Sequence, residues 1–263
     1  MGTFAGHALP GSFFIAFGLW HTLMLCVRYF RVKLLRQRRF QCEICFNFGR
    51  LIPVESGVVK FAGCLFGLWT QFSAGYGMEE KSTYEAFIRW DNSQHMAMFG
   101  AFAFAGLVES LHFYQLNLPQ GCTYMSNIFA FCFELVLFTF HLHGRSPISK
   151  QMHIIVVYLV VITLMVMLLE LHNRDVVLTG LCRTFLFLLQ GTWLWQVGFV
   201  LYPKNWNKQW EDWADDDLQQ MRGVLVLFSM HVFADVLIIL AIWLAVASYF
   251  GHYRKAKPAP DRE

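Results

Sequence analysis

The sequence predicts an all-α protein, a bundle of seven transmembrane helices, with its N-terminus outside or luminal and its C-terminus cytoplasmic. Three observations predict it. Of 263 residues, 56% are hydrophobic and 15% charged, whereas soluble domains average about 25% charged. Apolar runs of about 20 residues, the length that crosses a bilayer, recur seven times, at roughly 11–30, 51–74, 94–116, 122–142, 151–171, 176–201 and 222–250. The connections are short, so residues 1–263 read as a single integral membrane domain. Helices are required because backbone groups in hydrocarbon must be satisfied within their own segment.

The first run is preceded by MGTFAGHALP, which holds no Lys or Arg, and it closes on Arg28, Tyr29, Phe30 and Arg31. That flank suits a retained span rather than a removable signal peptide, and Gly6 breaks the N-myristoylation pattern. The first connection carries Arg31, Lys33, Arg36, Arg38, Arg39 and Arg50 against Glu43, and the tail carries Arg254, Lys255, Lys257 and Arg262. With seven spans these basic segments share one side, which makes it cytoplasmic. The basic 31–50 loop also suits anionic lipid headgroups, worth about 1 kcal/mol per residue. The bilayer is thus the expected partner; no nucleic acid is expected, and no protein partner can be named. Cys42-Glu43-Ile44-Cys45 is half a zinc site at most; S-palmitoylation suits it better, against the plain alternative of two ordinary thiols. Secretory-pathway membranes follow from the spans, with the plasma membrane as the expected endpoint.

Each later run carries ionisable residues that cost roughly 2.5–3.5 kcal/mol at mid-helix unless they are used or paired. The second run opens on Glu55 and Lys60. The third holds His95, Glu109 and His112. The fourth holds Glu134 and His141, followed by His143 and a helix stop at Gly144-Arg145-Ser146-Pro147. The fifth begins near His153 and ends at Glu170 and His172; the sixth carries Arg183, Gln190 and Gln196. Trp206, Trp210 and Trp213, at i, i+4 and i+7, predict an interfacial helix between the sixth and seventh runs. His231 and Asp235 lie in the seventh.

Depth along each span sorts these groups into two layers. One, toward the cytoplasmic side, sets Lys60 and Arg183 against Glu55, Glu109 and Glu170, with His112 beside them. It reads as a buried charge network, because an unpaired charge is worse than a paired one. The other gathers His95, His141, His143, His153 and His231 with Glu134 and Asp235. Three imidazoles and a carboxylate suit Zn²⁺ or a similar divalent metal. There Glu134 or Asp235 would orient a ligand imidazole or act as general base on metal-bound water. Set against that, intramembrane histidines also serve as neutral hydrogen-bonding glue between helices.

Several local motifs resemble the transmembrane protein 45 and transmembrane epididymal protein family. They are Gly6-His7-Ala8-Leu9-Pro10-Gly11, Phe140-His141-Leu142-His143-Gly144-Arg145, Leu189-Gln190-Gly191-Thr192-Trp193 and Gly198-Phe199-Val200-Leu201-Tyr202-Pro203. The resemblance runs through all seven spans and implies a multi-pass membrane protein of epididymal type, in a family with no assigned activity. Ser229-Met230-His231 followed by Asp235 is also similar to the last-span His-x-x-x-His of intramembrane metal hydrolases of the adiponectin-receptor and alkaline-ceramidase type. Asp235 stands where their second His would be, so their ligand set does not carry across. Three readings follow: a non-catalytic membrane component with a buried His/acid core, an intramembrane metal-dependent lipid hydrolase, and a proton- or ion-coupled transporter. No Asp-Arg-Tyr-like triplet closes the third span, which argues against a G-protein-coupled receptor.

Overall fold

A computed structural model describes residues 3–35, 39–46, 56–76, 90–142, 144–203 and 218–256. Among these, seven α-helices and no strands are present: α1 (Phe4–Leu35), α2 (Ser56–Tyr76), α3 (Trp90–Phe113), α4 (Cys122–Phe140), α5 (Pro147–His172), α6 (Val177–Leu201) and α7 (Leu218–Ala256). Each predicted run holds one helix. Six are long and apolar enough to cross a membrane, which makes this a multi-pass membrane protein. The remaining one, α2, is diluted by Lys60, Thr70, Gln71 and its glycines. The predicted break after the fourth run is present: Gly144 adopts φ 74°, and Ser146 caps α5 by accepting from the Ser149 N–H. Helix α1 begins at Phe4, well before the predicted span, and runs through Pro10 in its second turn.

Helices α1 to α6 form a ring. Neighbours along the chain pack from α2 through α6, α1 closes against α6, and the seam between α1 and α2 is sparse. Small residues set the two tightest crossings, as helices in lipid require. A Cβ on Gly191 would lie 2.7 Å from the Gly11 carbonyl oxygen, and one on Gly106 would lie 2.8 Å from that of Gly57. Helix α6 is central, with 67% of its most apolar window buried; α7, at 6%, lies outside the ring against α1, α5 and α6.

The segment after α1 folds back onto the bundle. Cys42, Ile44 and Phe46 alternate inward and are buried, a period-two pattern typical of extended chain. Arg174 holds this segment through the Cys42 carbonyl at 3.0 Å, and the Cys42 N–H donates to the Arg174 carbonyl at 2.5 Å. Burial pushes the Cys42 thiol up to about 12, so it stays protonated and shielded; of the pair offered for palmitoylation, only Cys45 is partly exposed.

Candidate functional site

The ring surrounds a partly open cavity with about 90 Å³ of free space. Seven-residue spacing turns one stripe of each helix inward: His7, Phe14 and His21 on α1; His95, Phe102 and Glu109 on α3; Asn127, Glu134 and His141 on α4. All but Glu109 line the cavity. Each stripe is polar at its ends and, on α1 and α3, aromatic in the middle. Phe14, Phe102, Phe131 and Phe187 meet there, with ring centroids 5.2–6.1 Å apart, an ordinary aromatic packing geometry. His7 and His21 are separated by about 21 Å of helix, with the aromatic layer between them.

One end is built from imidazoles. The His141 and His95 rings stack edge-on with centroids 5.4 Å apart, and His141 and His153 lie 6.1 Å apart. His7 joins from α1, its Nε2 lying 3.3 Å from that of His153. The remaining nitrogens decide the tautomers. His7 Nδ1 donates to the Thr3 carbonyl at 3.0 Å, and His153 Nδ1 to the Ser149 carbonyl at 2.7 Å. A carbonyl only accepts, so Nδ1 carries a proton on both rings, and a hydrogen bond between the two Nε2 atoms needs one further proton shared by the pair. His141 differs: its Nδ1 donates to Gln94 Oε1 at 2.8 Å and its Nε2 accepts from Arg145 Nη2. Both ring nitrogens are therefore engaged.

Glu134 lies on the same side of the aromatic layer, fully buried on α4. Its Oε1 accepts from Gln190 Nε2 at 2.5 Å. The reciprocal half of an acid–amide pair is not made: Glu134 Oε2 and Gln190 Oε1 are both buried without a hydrogen-bond partner among the described residues. An unmet buried polar atom of this kind costs about 1–3 kcal/mol.

The other end is closed by two separate ion pairs. Lys60 Nζ reaches Glu109 Oε1 at 2.5 Å and Asn127 Oδ1 at 3.0 Å, while Asn127 Nδ2 donates to the same Glu109 oxygen at 2.7 Å. Arg183 forms a fork on Glu170, Nε to Oε2 at 2.6 Å and Nη2 to Oε1 at 3.2 Å, and the Tyr124 hydroxyl donates to Oε1 at 3.1 Å. Arg183 also donates to His21 Nδ1 at 3.4 Å and to the Glu43 carbonyl at 3.0 Å, tying the folded-back segment to α6.

A family model described as a family of unknown function, DUF716, matches residues 120–244, which run from just before α4 into α7. The chain is 26% identical over 263 residues to transmembrane epididymal protein 1 of Rattus norvegicus, covering 97% of this chain and 84% of that protein. It is 25% identical over 257 residues to transmembrane epididymal protein 1A of Mus musculus, covering 95% and 82%. The chain is thus similar to the transmembrane epididymal proteins over nearly its whole length. The human transmembrane epididymal protein 1 matches over a shorter stretch, 28% identical over 163 residues. The DUF716 stretch carries Asn127, Glu134, His141, His153, Glu170, Arg183 and Gln190; α1 to α3 supply the facing His7, His21, Lys60, His95 and Glu109.

Against this geometry the predicted site residues divide. His95, His141 and His153 come together with Glu134 along the cavity. His231 does not join them: it meets Gln196, Nε2 to Oε1 at 3.4 Å, and packs edge-on against Trp193. Asp235 accepts from the Thr192 hydroxyl at 2.8 Å, so both α7 residues serve the α6–α7 contact outside the ring. No group of three or more His, Cys, Asp or Glu among the described residues is arranged to hold a metal ion. In the charge layer, Lys60, Glu109, Glu170 and Arg183 pair off, whereas His112 is exposed at the end of α3, a correction to its placement in the buried network. Glu55, His143 and the Trp206, Trp210 and Trp213 stripe lie outside the described residues. His7, Gln94, Tyr124 and Asn127 also take part in these contacts, and none of them carries a formal charge that marks it in the sequence.

Proposed function

We propose that this protein is a non-catalytic membrane component that takes the end of a lipid chain from the bilayer into its ring of helices. The observation that carries the reading is the cavity: aromatic walls, few polar groups, and those groups gathered at its two ends, the pattern of a small-molecule site. Its free space, about 90 Å³, suits the end of an acyl chain rather than a whole lipid. The sparse α1–α2 seam, where Phe13 approaches Gly63 and Cys64 lines the cavity, gives such a chain a side entry. Holding also suits the polar core better than transport or hydrolysis. The two ion pairs close on themselves instead of forming a relay, and His141 has no nitrogen left for a metal. Lipid extracted from protein purified in mild detergent is the test. Wild type is expected to retain a stoichiometric lipid, and Cys64→Trp, which fills the cavity beside the seam, to lose most of it. Equal retention by both would remove the reading.

The basic residues at the end of α1 and just after it support a second, peripheral role. Arg31, Lys33 and Arg39 are exposed, and we infer that they gather anionic headgroups. In nanodiscs of mixed phosphatidylcholine and phosphatidylserine, the protein should enrich phosphatidylserine at low salt. Replacing the three residues by Gln should abolish that enrichment; an unchanged ratio would refute it.

A further inference from the structure

His7 and His153, both buried, meet in a way that two neutral imidazoles do not allow. Their Nε2 atoms lie 3.3 Å apart. The ring centroids lie 5.5 Å apart, close to that distance plus two ring radii, so the two nitrogens point at one another. Each Nδ1 already donates to a backbone carbonyl, that of Thr3 at 3.0 Å and that of Ser149 at 2.7 Å. Neutral rings held this way set lone pair against lone pair. One proton between them turns the contact into a charge-assisted hydrogen bond. The contact also joins helices that are not adjacent in the ring, since α1 and α5 each pack on α6 rather than on one another.

We propose that His7 and His153 form a proton-binding site, one proton shared by two Nε2 atoms, which clasps the start of α1 to α5. The clasp is independent of whether a lipid chain enters the cavity. The other titratable or charged groups at this end are His95 on α3, His141 and Glu134 on α4, Arg145 ahead of α5 and Tyr202 after α6. Arg145 is committed to His141 and Ser149, and Glu134 accepts from Gln190. Lys60 of α2 is paired with Glu109 at the far end, and α7 turns His231 and Asp235 to α6. Burial and the Arg145 guanidinium oppose an added charge, while the second imidazole and the two carbonyl acceptors favour it. Three states follow. One proton joins the rings; with none, the lone pairs repel and one ring turns away; with two, the imidazoliums repel. The pair therefore titrates in two macroscopic steps that belong to neither ring alone. The clasp holds between those steps, is lost as pH rises through the upper one, and weakens as pH falls through the lower.

The test is a double-mutant cycle followed against pH. Wild type, His7→Phe, His153→Phe and the double variant, each full length in one detergent with EDTA, are unfolded by denaturant between about pH 6 and about pH 9. At each pH the cycle cancels the titration of His95, His141, Glu134 and every other group that the four proteins share. At its greatest, the coupling between the two positions should raise the folding equilibrium constant at least about tenfold. It should fall to within about twofold at the alkaline end. A coupling that is absent, flat or growing as pH rises overturns the proposal. So does one that appears only when Zn²⁺ replaces EDTA, because a metal rather than a proton would then join the rings. A second measurement needs no variant. NMR of the wild-type protein with ¹⁵N-labelled histidine should show two ring nitrogens correlated through a single proton. No such pair at any pH in that range overturns the proposal even if the Phe variants do not fold.

Discussion

Replacing Arg183 with Leu is expected to destabilise the bundle by about 3–5 kcal/mol, the cost of leaving one member of a buried ion pair uncompensated. Arg183 is completely buried, and so is Glu170, whose two oxygens accept from it. Without the guanidinium, Glu170 keeps only the Tyr124 hydroxyl, one neutral donor for a buried carboxylate. The loss extends beyond the pair. Arg183 also holds the Glu43 carbonyl and His21, so the folded-back segment over Cys42–Phe46 loses one of its ties and α1 a polar contact. Arg183→Lys keeps the charge but not the fork geometry and should fall between wild type and Leu. Replacing both partners with apolar residues should cost less than Arg183→Leu alone, because it removes the orphaned charge together with the pair. Denaturant unfolding in micelles measures all four proteins. A loss below about 1 kcal/mol for Arg183→Leu, the range of an exposed pair, would mean that this network carries little of the stability.

The same residues illustrate what sequence periodicity can and cannot locate. Hydropathy finds each helix among the described residues, since a bilayer leaves few other answers for a 20-residue apolar run. Periodicity then finds the inward face of each helix: Glu134 and His141, seven residues apart, do line the cavity together. It does not say what that face meets. His231 and Asp235 share a face as their spacing requires, yet that face belongs to α7, which lies outside the ring and presents them to Gln196 and Thr192. Nothing in a single helix's spacing ranks it as central or peripheral; that depends on glycine-mediated approaches between distant segments, Gly11 to Gly191 and Gly57 to Gly106. His7 escapes hydropathy for a different reason: it precedes the apolar run at 11–30, whereas α1 begins at Phe4. Asn127 was recoverable: it continues the Glu134–His141 stripe by another seven residues, but carries no charge to draw notice.

Lys60→Met is expected to produce a destabilisation of similar size, about 3–5 kcal/mol, through a network that is differently built. The ammonium is a point charge and satisfies one oxygen of Glu109, where the guanidinium of Arg183 reaches both oxygens of Glu170. Asn127 shares that first oxygen, and Glu109 Oε2 is left buried without a partner among the described residues. The Lys60 cluster thus already carries an unmet acceptor, and removing Glu109 should be less harmful than removing Lys60. In a double-mutant cycle, Lys60→Met with Glu109→Leu should be milder than the sum of the single changes by about 2 kcal/mol or more, since contacting residues couple by about 0.5–3 kcal/mol. Additivity within about 0.5 kcal/mol would mean that the two side chains do not interact as placed. The position of the cluster matters as much as its energy. Lys60 is on α2, Glu109 on α3 and Asn127 on α4, so these bonds fasten the three helices on one side of the sparse α1–α2 seam. Lys60→Met should therefore loosen α2 selectively, detectable as faster hydrogen exchange in α2 than in α6, whereas Arg183→Leu should loosen the α1–α6 side and the folded-back segment. A uniform rise across all helices in both variants would place the two networks in one cooperative unit rather than two.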